Sequence, residues 1–274
     1  MPTERERDEA ARLFSRIDSS IAFMFEANLA SARRFEIIDL DGSHGAYFCY
    51  EDDGAACVYA AFERENDASA ARVAELCAED IRSLGSDGVV YLWSENSLTI
   101  DRLRRGFNCV DERGMTELML SRADHRPVPL PPELTVRGYE KSRLADYLSL
   151  LDVAMTYQSE PRFYTDRAER YAEEFSERDG FFKAFFAEDR LVGLYLRGWR
   201  CGDELSLLAV HPNCQRKGYG AALLSHAASA LFSSDERDDL TLYCMDSNPS
   251  AIAFYISRGL RVTGRSYRMA LSLR

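Results

Sequence analysis

Gln215-Arg216-Lys217-Gly218-Tyr219-Gly220-Ala221 joins an apolar run, Leu205–Val210, to a segment with apolar residues at 221, 224, 227, 228 and 231. The first spacing is that of a buried strand and the second that of one helical face. A strand, a glycine-bearing loop and a helix start are suited to holding a pyrophosphate. The helix N-terminus supplies unpaired backbone N–H groups and the positive end of a dipole. Gly218 and Gly220 lack Cβ atoms, so the backbone can bend sharply and approach an anion closely. Arg216 and Lys217 add local positive charge to a chain whose net charge is −11.

The acidic balance counts against nonspecific nucleic-acid binding, which needs a basic surface. No apolar run approaches the roughly 18–20 residues that span a bilayer, and no membrane partner is expected. The N-terminal stretch MPTERERDEAARL is charged and lacks the apolar core of a signal peptide, so the expected location is cytoplasmic. Seven cysteines are scattered without a CxxC pair and are expected to be buried reduced thiols. Cys214, beside the loop, is the one with a catalytic alternative. His44, His125 and His226 have no evident convergent partners, no spacing suggests a metal site, and no nucleophile elbow supports a Ser-His-Asp arrangement.

Arg126-Pro-Val-Pro-Leu-Pro-Pro132 holds four of the eight prolines and interrupts any helix or central strand. It divides the chain into expected domains 1–125 and 134–274, with 126–133 as linker. In the second, 134–139 is strand-like, and 143–157 and 167–175 carry helical periodicity. Residues 181–187 and 191–199 form a hairpin about Glu188-Asp189-Arg190, and 204–210 is the next strand. After the helix at 220–232 come a strand (240–244), a helix (249–257) begun by Asn248 and closed by Gly259, and one or two strands in 261–273. The first half opens helix-rich (6–32), then gives strands at 35–40, 46–51 and 55–62, a helix (69–84), a strand (89–93), a helix (98–105) and an extended end (109–120). That order repeats the second half from its hairpin onward. A duplicated domain is expected, each copy an α/β fold with a mixed, mostly antiparallel sheet flanked by helices.

These residues resemble the GCN5-related N-acetyltransferase (GNAT) superfamily. Gln215-Arg-Lys-Gly218-Tyr-Gly220 satisfies the family pattern Gln/Arg-x-x-Gly-x-Gly/Ala, after the usual lead-in Leu208-Ala-Val-His-Pro212. The later pattern Asn-x-x-Ala…Tyr-x-x-x-Gly appears as Asn248, Ala251, Tyr255 and Gly259. The resemblance covers 134–274 and, more weakly, the later part of 1–125. It implies acetyl-CoA as co-substrate, with the backbone of Arg216, Lys217, Gly218, Tyr219, Gly220 and Ala221 on the pyrophosphate. Leu208, Ala209 and Val210 would pair with the pantetheine arm as if it were an added strand.

It also implies direct acyl transfer to an amine, with Val210's N–H as a candidate oxyanion donor and Tyr255 as candidate general acid toward the departing thiolate. Tyr255 has a plainer alternative as a core aromatic beside Phe254, and Asn248 could cap its helix, touch CoA, or do both. Glu204 matches the base glutamate of the histone-acetylating branch, but Asp203-Glu204 after Gly202 could also be a solvated turn. The first half departs from the pattern: Arg64-Glu-Asn-Asp-Ala-Ser-Ala-Ala-Arg72 has no glycine and two acidic residues where a phosphate would approach. It is expected not to bind CoA and to support the working half, as in tandem family members with one degenerate copy.

The expected activity is therefore an acyl-CoA-dependent N-acyltransferase acting on a small-molecule or peptide amine, with a monomer sufficient. The alternative is a non-catalytic module that senses acyl-CoA or binds a partner.

Overall fold

The Asp41-Gly42 and Glu188-Asp189 dipeptides turn the two hairpins that organise the fold. Asp41, Gly42 and Glu188 adopt positive φ of 52°, 78° and 57°, the left-handed conformation that tight hairpin loops require. In the computed structural model the described residues are 31–52, 55–155, 162–198, 204–233 and 238–274, with Asp8 and Arg12. Apart from Asp8 and Arg12, the helix expected at 6–32 lies outside them up to residue 30. So do residues 156–161 and 199–203.

The described strands are β1 (Ala32–Leu40), β2 (Ser43–Asp52), β3 (Ala55–Phe62), β4 (Val90–Ser94), β5 (Asn108–Ser121), β6 (Leu134–Arg137), β7 (Phe182–Ala187), β8 (Arg190–Arg197), β9 (Leu205–Val210), β10 (Asp239–Met245) and β11 (Arg261–Ser272). The α-helices are α1 (Asp67–Ser83), α2 (Ser97–Gly106), α3 (Leu144–Ala154), α4 (Ala168–Glu177), α5 (Tyr219–Phe232) and α6 (Pro249–Ser257). A seven-stranded mixed sheet has the order β1-β2-β3-β4-β11-β5-β10, and β6-β7-β8-β9 form an antiparallel sheet. The α/β class is as expected, and 261–273 holds a single strand.

The chain divides into two compact units, Met1–Met115 with Gly264–Arg274, and Thr116–Thr263. This division differs from the expected break at 126–133. Those residues lie wholly in unit 2, where Val128 N–H donates to Ser225 Oγ of α5 at 2.8 Å. The prolines keep the segment extended, and this hydrogen bond ties it to α5. β5 and β11 instead each contribute to both units.

In unit 1, β1-β2-β3 is an antiparallel meander, and β3 then pairs parallel with β4 from Ala56↔Val90 to Tyr59↔Trp93. The helical periodicity of α1 places Val73, Leu76, Cys77 and Ile81 against Tyr47, Val58 and Leu92, with Met269 and Leu271 of β11 completing the core. Those residues arrive through β11, which runs antiparallel to β4 from Tyr267↔Ser94 to Leu271↔Val90.

In unit 2 the β6–β9 sheet is covered on both faces. Leu223, Leu224, Ala227 and Leu231 of α5 pack with Phe185, Tyr195, Leu205, Leu240 and Leu242. Tyr147, Leu151 and Phe175 pack on the other side with Phe182, Phe186, Leu194 and Leu196. From its first hairpin each unit follows the same element order: three strands, helix, strand, helix, strand.

Candidate functional site

The hydrogen-bond phase of β9 decides which of its backbone groups meet solvent. β9 pairs with β8 from Gly193↔Val210 to Leu196↔Leu207, and His211 N–H donates to Val192 O at 2.8 Å. Bonded and non-bonded pairs alternate along an antiparallel ladder. The 192↔211 pair is bonded, so 194↔209 and 196↔207 are bonded too. Leu208 and Val210 therefore turn their N–H and C=O groups away from β8.

On that outer side stands β10, whose backbone pairing with this segment is the isolated parallel bridge Glu204↔Thr241. Beyond the bridge they belong to different sheets. Leu208 and Val210 thus present their backbone groups along an open edge whose closed apex is Glu204. Gly193 permits the tight β8–β9 approach here, since a Cβ would fall 2.6 Å from Ala209 O and 2.9 Å from Leu223 Cδ2.

The loop after β9 begins with a short 3₁₀ turn, Pro212–Cys214, capped by the preceding His211, whose Nδ1 accepts Asn213 N–H at 3.2 Å. The chain then reaches α5 through Arg216 (φ 62°) and Gly218 (φ 83°). Gly218 is the N-cap of α5 in the left-handed conformation, and no side chain caps that helix end. Its first-turn N–H groups and its dipole are thereby aimed out of the loop, as an anion site requires.

Gly220 is less constrained than the sequence suggested. Its φ is not positive, and a Cβ would sit 3.5 Å from the Phe254 ring, an ordinary contact. Tyr219 turns its ring away from the loop and donates its hydroxyl to Glu133 Oε1 at 3.0 Å. Gln215 donates its side-chain amide to Val210 O at 3.1 Å.

α6 closes the open side. Asn248 caps it by accepting Ala251 N–H at 3.2 Å, Pro249 fills the first helical position, and Gly259 ends it at φ 94°. Phe254 and Tyr255, with ring centroids 5.2 Å apart, pack on the cluster that Leu208, Val210 and Tyr219 also join. The expected loop, strand edge and α6 residues are therefore gathered on one side of unit 2. Tyr255 is a partly buried packing residue beside Phe254.

Glu204 stands apart. With a rise of about 3.3 Å per residue, it is roughly 13 Å along the strand from Leu208 and roughly 20 Å from Val210. It is half-buried, and Ser206 Oγ donates to its Oε1 at 3.3 Å. Nearby is Arg178, only 3% exposed, paired with Glu174 at 3.2 Å. Burial lowers the Arg178 pKa to about 10, and the charges of Glu174 and Glu204 work against that fall. Burial raises the Glu174 pKa, against the pull of Arg178. Sequence reasoning did not single out Arg178. At the end of an amphipathic helix an arginine has the same signature as a solvated one, and only the sheet beneath reveals its burial.

Other expectations resolve into structure. Cys214 is buried against Leu134 and Val192. His226 does have a partner: its Nδ1 is 2.8 Å from the buried Tyr195 hydroxyl, and burial lowers its pKa. His125 Nε2 meets Ser229 Oγ at 3.0 Å. Among the described residues no three His, Cys, Asp or Glu side chains gather as a metal site, and no helix is long and apolar enough to cross a membrane.

Unit 1 offers an internal contrast. β3 and β4 stay paired where β9 and β10 part, and Ser94 Oγ donates to Ala60 O at 3.2 Å. Asn66 and Ser69 form a capping box on α1. Glu65 accepts Leu98 N–H at 2.8 Å and Thr99 N–H at 2.5 Å, so the starts of both α1 and α2 are filled by the chain's own side chains.

Comparison with known proteins agrees with this geometry. The Acetyltransferase (GNAT) family profile matches residues 145–260. A mycothiol acetyltransferase of Mycolicibacterium vanbaalenii is 30% identical over 136 residues, 46% of this chain and 45% of that protein. The aligned stretch thus spans less than half the length of that curated relative. Among solved structures, a GCN5-related N-acetyltransferase from Sphaerobacter thermophilus superposes with a TM-score of 0.72 at 15% identity, covering 98% of this chain and 93% of that one. A tandem GNAT protein from the clavulanic acid biosynthesis pathway gives 0.58 at 13% identity, covering 88% and 83%. These two likenesses speak for the fold. The family profile lies on α3 through α6, around the open edge and the uncapped helix, so it is this part of the chain, residues 145–260, that is similar to the GNAT family.

Proposed function

We propose that unit 2 transfers an acetyl group from acetyl-CoA to a primary amine of a small molecule or peptide by direct attack. The observation that carries this reading is the open edge of β9 beyond the Glu204↔Thr241 bridge, running directly into the uncapped N-terminus of α5. A pyrophosphate on the Gly218–Ala221 amides would send the pantetheine arm down that edge toward the apex. The thioester, at the far end of the arm, then lies deeper than the arm's amides. Val210 N–H accordingly serves an arm amide, and Leu208 N–H, also facing the open edge, polarises the thioester carbonyl and its oxyanion. Val210 N–H, the candidate oxyanion donor expected from the sequence, is the neighbouring alternative on the same edge.

Tyr255 supplies a proton to the departing thiolate from α6. Glu204 is separated from Val210 by too much strand for direct contact with an amine there. Against a carbonyl at Leu208 it acts through water, its negative charge supported by neighbouring Arg178. Unit 1, with its paired strands and filled helix starts, holds no acetyl-CoA and supports the fold.

The test joins binding to turnover. Titration calorimetry with CoA and acetyl-CoA should show binding to the folded protein, and CoA release should rise when a panel of amines is added. Binding without release across the panel would favour an acyl-CoA sensor, and absence of binding would remove the reading altogether.

A further inference from the structure

The peptide joining Val210 to His211 is held at both ends. Its N–H donates to Val192 O at 2.8 Å, on the β8 side, and its C=O accepts Gln215 Nε2 at 3.1 Å, on the open side. The intervening chain is shaped to bring Gln215 back. Cys214 N–H returns to His211 O at 2.7 Å and Gln215 N–H to Pro212 O at 3.2 Å, folding the 3₁₀ turn so that an extended Gln215 lies beside the strand it has just left. Val210 is thus unlike Leu208. Both face the open edge, but the Val210 carbonyl is already satisfied by this chain, and only its N–H is offered outward.

We propose that Gln215 is a positioning residue for the acyl-CoA arm, rather than a phosphate ligand, acting by clamping the Val210 carbonyl. The proposal rests on the acetyl-CoA reading above. The clamp fixes the plane of the last peptide of β9, and with it the strand end that orients the Val210 N–H. The residue needed is a long side chain ending in a donor. Arginine has the same property, which gives a physical reason for the Gln/Arg alternative in the pattern that Gln215 satisfies.

Gln215→Met removes the donor with little change in size, and Gln215→Arg keeps one. A single neutral hydrogen bond contributes about enough for a change approaching tenfold. Gln215→Met should therefore raise the KM for acetyl-CoA and the Kd for CoA by about tenfold, with kcat changed less than about threefold. Gln215→Arg should restore both constants. A purely structural role would lower the melting temperature of Gln215→Met and leave both constants unchanged.

The clamp itself is read without ligand, from the carbonyl ¹³C shift of Val210, expected to move in Gln215→Met and to return in Gln215→Arg. An unmoved shift overturns the clamp, and a moved shift with unchanged constants overturns the positioning role. If the unaltered protein binds no CoA, the acetyl-CoA reading fails and takes the positioning role with it, while the shift still decides whether Gln215 holds Val210.

Discussion

Replacing Tyr255 by phenylalanine deletes one oxygen from α6 and leaves the ring beside Phe254 in place. If that oxygen protonates the leaving thiolate, acyl transfer slows by about 10²–10⁴-fold while titration finds CoA affinity unchanged, and an unaltered rate would take Tyr255 out of the mechanism. The two loop glycines separate by the same logic. Gly218→Ala places a Cβ in the left-handed region at φ 83°, which costs about 1–2 kcal/mol and should lower both the melting temperature and CoA affinity. Gly220→Ala meets only the Phe254 ring at contact distance and should leave the melting temperature unchanged. The sequence pattern marked both glycines equally, because spacing in a motif does not carry dihedral angles. It also marked Asn248 as the cap of α6, which it is. Arg178 escaped notice because its burial depends on elements far from it in the chain.

A helix and the strand beneath it can share a titration. His226 on α5 faces Tyr195 on β8, with Phe185 edge-on at 5.4 Å, and its pKa is lowered by burial and then by the charges of Lys183 and Arg197. The unfolded chain therefore takes up this proton at a higher pH than the folded one. The stability that His226 contributes is complete above its ordinary value near 6.5 and is lost as pH falls through the folded value. His226→Asn keeps an acceptor near the tyrosine but does not titrate. Its melting temperature should fall less steeply between pH 7 and 5, and parallel curves would show that His226 is not responsible. His125, lowered in the same direction, leaves a residual slope in both proteins. The extent of such elements was largely legible from periodicity: α6 lies at 249–257 as expected, and α5 begins one residue before its expected start. The pairing partners were not, since a histidine on an apolar helical face carries no record of the strand it will meet.

Across the whole chain, the contrast between units predicts a count. CoA should bind with a stoichiometry of one per chain, measured by calorimetry, since among the described residues only those of unit 2 combine an open strand edge with an uncapped helix start. A stoichiometry of two would mean that the capping box at Asn66 and the carboxylate of Glu65 yield to ligand. The repeated element order was visible in sequence, as was the missing glycine loop of the first half. The prolines say less about where a boundary falls. Prolines at 127, 129, 131 and 132 announce extended backbone, and extended backbone serves equally well as a tether or as a strap along a helix.

Gly264–Arg274 belongs to unit 1, where β11 lies against β4 and brings Met269 and Leu271 into the core. On the ribosome, this makes the first unit begun also a unit that cannot be finished until all of unit 2 has been synthesised. Its sheet waits with β4 unpaired on one side, an exposed edge of the kind that invites pairing with other chains. Translation speed and chaperone occupancy should thus govern the yield of this protein more than the stability of either unit. Separate expression of residues 1–125 should give insoluble material for want of a strand encoded at the far end of the chain.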